Sequence, residues 1–156
     1  MSTSYNSIHS MMEIRPLRAS DFDEWTRLSA GLFPEHTPTE LAGWQREFLA
    51  RDDAGVFIAS RDDDSICGFV QVASRPYADG CDTSPVGFIE AWFVDEDMRR
   101  AGVGRALLAA AEDWARARGY SEMASDALLD NTISHRAHEG AGYIEVERAV
   151  RYRKPL

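Results

Sequence analysis

The chain has 156 residues, 44% hydrophobic and 28% charged, the balance of one globular domain that buries a core without a metal or disulfide staple. Its 17 basic against 26 acidic residues leave a formal charge of −9, which argues against nonspecific binding to a phosphate backbone and suits a cationic partner. No apolar run approaches the roughly 20 residues that cross a bilayer, and no secretory segment follows the N-terminus. Cys67 and Cys81, with no CxxC or Cys/His cluster nearby, form neither a disulfide framework nor a zinc site, so reduced thiols in a cytoplasmic protein are expected.

The first eleven residues (MSTSYNSIHSM) are polar and patternless and are read as a tail, with the domain over 12–156. Glu13 to Arg18 reads as a short strand, and Ser20 as the N-cap of a helix carrying Phe22, Trp25, Leu28 and Leu32 at helical spacing. After the loop Phe33-Pro34-Glu35-His36, Thr37-Pro38-Thr39-Glu40 carries a capping Thr, a Pro at N1 and a Glu at N3. Leu41, Trp44, Phe48 and Leu49 form the stripe of that second helix. Val56 to Ser60 and Ile66 to Ala73 read as a hairpin around Arg61-Asp62-Asp63-Asp64-Ser65, an acidic turn with no Glu at calcium-loop spacing. Pro76 to Pro85 is a loop and Val86 to Val94 a strong strand. Val103 to Arg118 is the clearest helix, with Leu107, Leu108, Ala111, Trp114 and Ala115 on one face and Gly119 as its stop. A strand over Glu122 to Ser125, a helix over Thr132 to Glu139, a turn at Gly142 and a last strand region over Tyr143 to Arg153 complete the order βααβββαβαβ. A mixed sheet flanked by helices follows from that order.

Chemistry gathers at the junction after the strong strand. Phe88 to Val94 runs into Asp95-Glu96-Asp97-Met98 and then Arg99-Arg100-Ala101-Gly102-Val103-Gly104-Arg105, which opens the long helix. Backbone N–H groups at such a helix start have no partner within the helix, and with the positive helix end they form an anion site that glycine lets a pyrophosphate approach. Arg99, Arg100 and Arg105 add charge; the alternative is a turn that merely needs glycine, with arginines in water. No GxxxxGK[ST] occurs, and GxGxxG fails because Leu107 stands where its third glycine belongs.

What remains, R-x-x-G-x-G opening a helix directly after a strand, resembles the acetyl-CoA pyrophosphate loop of the GNAT superfamily of N-acetyltransferases. The element order resembles that fold from about Met12 onward, and Asn131-Thr132-Ile133-Ser134 with Ala137 to Tyr143 looks like the segment that closes its cofactor site. Four further segments, Tyr77 to Val86, Phe88 to Val94, Glu122 to Ser134 and Val146 to Lys154, resemble the single-domain bacterial aminoglycoside 6′-N-acetyltransferases. The resemblance implies an α/β (α+β) fold whose mixed, mostly antiparallel sheet splays at the acetyl-CoA site. It also implies acetyl-CoA as co-substrate with no metal, a polycationic aminoglycoside as acceptor, antibiotic resistance as consequence, and a homodimer with no nucleic-acid or membrane partner. Backbone at Trp92, Phe93 and Val94 would hold the pantetheine arm and polarise the thioester. Residues Arg99, Arg100, Ala101, Gly102, Val103, Gly104 and Arg105, with Asn131 and His138, complete the implied cofactor set.

The side chains carry readings of their own. Strand alternation puts Phe88, Glu90, Trp92 and Val94 on one face, so Glu90 interrupts an apolar row. Either it pairs with a core cation or lies on a wet face, or it serves function; the family role is to hold the acceptor ammonium and accept its proton. Asp126, at the carboxyl end of its strand, is a turn aspartate or, with Glu90, an acceptor-binding one. Asp79 and Asp82 are loop aspartates or further negative potential for a cationic sugar. His138 stands where the wider superfamily often has a Tyr that protonates the departing thiolate; it is an imidazolium acid or a structural histidine. His36, Tyr77 and Phe33 are acceptor contacts or ordinary surface and packing residues. Neither cysteine has a His partner in sequence, which favours direct transfer over a cysteine acyl-enzyme. Two alternatives stand beside the aminoglycoside: another polyamine or peptide amine as acceptor, and a non-catalytic acyl-CoA sensor.

Overall fold

Three apolar runs form the centre of one sheet because both of their faces are covered. In the computed structural model, which describes residues 12–156, the elements are β1 (Glu13–Pro16), α1 (Phe22–Leu32), α2 (Pro38–Leu49), β2 (Ala54–Ser60), β3 (Ile66–Arg75), β4 (Val86–Val94), α3 (Val103–Ala117), β5 (Met123–Ser125) and α4 (Thr132–Gly140). The strands lie in the order β1-β2-β3-β4-β5, antiparallel through β4 and parallel between β4 and β5. On one face Val70, Val72 and Ile89 pack against Leu107, Leu108 and Ala111 of α3. On the other, Ile58, Phe69 and Ala91 pack against Trp25 and Leu28 of α1. The tail expected at 1–11 lies outside the described residues.

The expected elements form, with three departures. Ser20 does not cap α1. A single 3-10 turn over Ala19–Asp21 precedes that helix, and Asp21 stands at its N-cap without a side-chain cap bond. Asp21 instead accepts two hydrogen bonds from Arg15, at 2.7 and 3.1 Å, and one from the Arg18 N–H at 2.6 Å. A buried carboxylate finds a stronger partner in a guanidinium than in a helix end. The α2 capping box forms as expected: Thr37 Oγ1 accepts from the Glu40 N–H at 3.2 Å, and Glu40 Oε2 accepts from the Thr37 N–H at 2.8 Å.

The second departure lies inside β4. Gln71 pairs with Ala91 and Val72 with Ile89, so Glu90 has no opposite number and forms a β-bulge. The bulge divides the expected single face. Trp92 and Val94 join Ile89 against α3, whereas Phe88 and Glu90 meet the side chain of Arg75 from the end of β3. The third departure is the missing last strand: among the described residues, 143–156 pair with no strand. A strand exists only against a partner edge, and this segment leaves the sheet across the loop after β3. Val146 is seated on Gly80, and Ile144, Val150 and Tyr152 remain exposed.

Candidate active site

α3 begins on glycine because the backbone there is left-handed. Gly102, its N-cap, has φ +82°, and Arg100 just before it has φ +63°. No side chain caps the helix, and its first turn holds no acidic residue. The first amides of α3 therefore point outward without an intrahelical acceptor, beside the positive end of a fifteen-residue helix. A Cβ added to Gly102 meets nothing within 4 Å, whereas one added to Gly104 comes 2.9 Å from the Trp92 indole. Gly102 thus serves the turn, and Gly104 lets α3 lie close on β4. Arg99 is engaged within the loop, donating from Nε to the Val94 carbonyl at 2.9 Å and lying over the Phe93 ring. Arg100 and Arg105 remain exposed. This cradle of free amides, left-handed backbone and two exposed cations fits a diphosphate.

The same loop is fed by the open end of the sheet. β5 pairs with β4 only from Gly87 to Ile89, so residues 90–94 of β4 have no neighbour on that side. Alternate backbone groups there, around Trp92 to Val94 and apart from the Val94 carbonyl that Arg99 occupies, are open to an extended ligand arm that adds to the edge as a strand does. The Trp92 side chain turns inward to α3, its indole N–H buried without a partner, so its contribution to such a ligand is through the backbone.

Beside the splay lies a broad groove of about 1340 Å³, between β5, α4 and residues 143–151. Arg75, Tyr77, Asp79, Phe88, Asp126 and His138 line it; Phe33, His36, Glu90 and the Gly102 loop do not. Glu90 stands behind Arg75, whose Nε and Nη2 donate to its two carboxylate oxygens at 2.8 and 2.7 Å. Glu90 is therefore paired with a cation, as one alternative expected, but with a part-exposed arginine of the groove and not one in the core. Asp126 accepts from Arg151 at 3.1 Å, with both side chains more than half exposed. The Tyr77 hydroxyl donates to Asp79 at 2.9 Å, which raises the Tyr77 pKa by stabilising the neutral phenol. Glu122, a residue without a signal in the sequence, accepts from the Asp82 and Thr83 amides at 2.9 and 2.7 Å and so folds the loop over the groove. Those amides hold its carboxyl below the ordinary range, after the Thr83 hydroxyl that also donates to it.

His138 is held at both ring nitrogens. Nδ1 donates to the Ser134 carbonyl at 2.7 Å, since a carbonyl only accepts, and Nε2 shares a hydrogen bond with the Ser125 hydroxyl at 2.7 Å. Trp92 and Tyr143 close on the ring edge-on, with centroids 5.2 and 5.7 Å away. Such fixed bonding ties α4 to β5. Asn131 caps α4, its Oδ1 accepting from the Ser134 N–H at 3.1 Å. His36 lies edge-on to Trp44 near Glu35 and Glu40, and Phe33 packs on the α1 side of the core. The structure does not bring these two to the groove.

Cys67 is buried and Cys81 partly so; both are free thiols, and burial raises the pKa of each. Neither is an activated nucleophile. Among the described residues no helix is long and apolar enough to cross a membrane, and no cluster of three or more His, Cys, Asp or Glu is arranged to hold a metal.

The acetyltransferase (GNAT) family model matches residues 15–143. The chain is 41% identical over 146 residues to an aminoglycoside N(6′)-acetyltransferase type 1 of Klebsiella aerogenes, covering 92% of this chain and 96% of that one. It is 39% identical over 151 residues to the protein of the same name from Stenotrophomonas maltophilia, covering 96% and 97%. Among solved structures, AAC(6′)-Iy in complex with the bisubstrate analogue CoA-S-monomethyl-acetylneamine superposes with a TM-score of 0.88 at 37% identity, over 94% of this chain and all of that one. The chain belongs to the GNAT acetyltransferase family and, within it, to the aminoglycoside 6′-N-acetyltransferases.

Proposed function

We propose that this chain transfers the acetyl group of acetyl-CoA directly to the 6′-amine of an aminoglycoside, and so confers resistance to that class of antibiotic. The observation that carries the reading is the bulge at Glu90. It turns a carboxylate out of the α3 face at the level where β4 parts from β5, behind a groove that Asp126 lines. Acetyl-CoA supplies the electrophilic thioester. The uncapped start of α3, with Arg100 and Arg105, holds its diphosphate, and the open edge of β4 at Trp92, Phe93 and Val94 binds the arm between diphosphate and thioester.

Attack needs a neutral amine, while an acidic groove favours the ammonium. Glu90 and Asp126 orient the cation, and Glu90, directly or through water, removes the proton as the new C–N bond forms. The thioester C–S bond then breaks, and CoA leaves as the thiolate that takes up a proton from water. Tyr77 and Asp79 at the rim add a stacking face and negative potential for a cationic ring. His138, bonded at both ring nitrogens, acts by holding α4 and β5 in place; Asn131 acts by starting α4 beside the cofactor. The free cysteines support a reducing, cytoplasmic setting, residues 12–156 make up the acetyltransferase domain, and the exposed apolar side chains of 143–156 support a homodimer in which a second copy covers them.

The test is acetyl transfer to kanamycin followed by thiol release. Glu90→Gln and Asp126→Asn are expected to lower kcat/KM by about a hundredfold or more with Tm little changed. Loss of stability in step with activity rejects the site, and absence of aminoglycoside turnover by the unmodified protein rejects the substrate.

A further inference from the structure

Glu90 is not an empty hook. Both of its oxygens are taken by one guanidinium in a planar, two-bond contact at 2.8 and 2.7 Å, the strongest geometry a carboxylate and an arginine can form. The guanidinium carbon lies 3.5 Å from the centroid of the Phe88 ring, so the cation is gripped from below by an aromatic face while Glu90 holds its edge. Arg75 faces the groove and Glu90 does not. Its side chain is 42% exposed and that of Glu90 21%. The negative field of Asp126 also reaches Arg75 and, after the larger effect of Glu90, helps raise its pKa. The other nearby cation, Arg51, is already spent on Asp53 at 2.8 and 3.1 Å.

We propose that Arg75 is a resident cation that occupies the acceptor ammonium's place on Glu90, so that an acceptor binds there only by displacing it. This rests on the reading of Glu90 as the acceptor's anchor. An incoming ammonium gains a bond to Glu90 only as Arg75 releases an oxygen, so a single charge exchanges one cation for another with little net gain. Every acceptor meets this cost; a polycation offsets it with further contacts at the Asp79 rim or, in competition with the exposed Arg151, at Asp126. Arg75 swings aside on its flexible stem without leaving the groove, because Phe88 and the field of Asp126 still hold a cation there. It is a positioning residue that sets acceptor affinity through Glu90 and takes no proton itself.

The experiment compares KM and kcat for kanamycin and for 6-amino-6-deoxyglucose, a single sugar with the same type of primary 6-amine and one positive charge, in the full chain with saturating acetyl-CoA. Arg75→Met keeps a stem over Phe88 and removes the charge. It is expected to lower KM for both acceptors by about fivefold, with kcat changed less than KM, because the displacement cost is common to both. Arg75→Lys keeps a point charge without the two-bond fork and is expected to give KM values between those of the unmodified protein and Arg75→Met. A KM that is unchanged or raised in Arg75→Met, or a change confined to kcat, overturns the proposal. If Arg75→Met lowers Tm enough to obscure the comparison, Arg75→Lys alone decides it: a KM for kanamycin no lower than that of the unmodified protein overturns the proposal. Glu90→Gln separates the two readings. Full activity in that variant removes the anchor itself, whereas lost activity in Glu90→Gln with an unchanged KM in Arg75→Met removes only the role of Arg75.

Discussion

Arg15 and Asp21 form a salt bridge at 2.7 Å with side chains only 6% and 9% exposed. Arg15 Nε is buried without a partner, so the pair already carries one unmet donor. Removing the carboxylate leaves a buried cation whose nearest countercharge is the exposed Asp64 at 3.9 Å, and Asp21→Asn is expected to cost about 3 kcal/mol in urea unfolding at neutral pH. The Arg15 bonds hold the Asp21 carboxyl below the ordinary aspartate range. A depressed folded-state pKa gives stability that is present above the unfolded value, about 3.9, and lost as pH falls through the folded value. Stability of the unmodified protein is therefore expected to fall as pH is lowered below about 4, and Asp21→Asn to flatten that part of the profile. Cys67 behaves in the opposite sense: burial raises its thiol pKa, so it stays protonated and inert at neutral pH.

At the scale of elements, α3 couples the core to the site. Val103, Leu107, Leu108 and Ala111 are buried on the sheet, and that packing fixes the direction in which the helix start points. Gly102 then supplies a left-handed turn that an L-residue adopts at a cost of about 1–2 kcal/mol. Because a side chain at that position meets open space, Gly102→Ala isolates the backbone contribution. It is expected to lower stability by about 1 kcal/mol and to shrink the rise in Tm produced by acetyl-CoA, both read in one thermal-shift series. β4 acts through its irregularity. The bulge lets one strand present Trp92 to α3 and Glu90 to the opposite face, which strict alternation forbids.

Over the whole molecule, a formal charge of −9 favours approach of a polycation at long range. Raising salt from about 50 to about 500 mM is expected to raise KM for kanamycin about fivefold with kcat nearly constant, because screening weakens capture more than chemistry. Steady-state kinetics across the salt series checks this; a KM independent of salt removes the role given to the overall charge. The groove beside residues 143–151 has one wall made by a segment that belongs to no sheet, with Arg151 reaching Asp126 across it. That wall is where the acceptor side of the molecule is least determined by its own core.

Local signals were enough for much of this protein. The Thr37–Glu40 capping box, the apolar stripe of α3 and the glycine at its start depend on neighbours within a few residues, and the amino-acid order alone determined them. The loop at Gly102 and the segments from Tyr77 to Lys154 also made the family readable. Tertiary structure decided what depends on partners far apart in the chain. Glu90 meets Arg75, fifteen residues away, only through the β3–β4 register and its bulge, and no alternation rule contains an unpaired residue. Ser20 fell inside a 3-10 turn that moved the helix start to Asp21, whose carboxylate Arg15 holds, and the last strand failed because no sheet edge received it. Periodicity reports which face a residue prefers; hydrogen-bond register and available edges decide what it finds there.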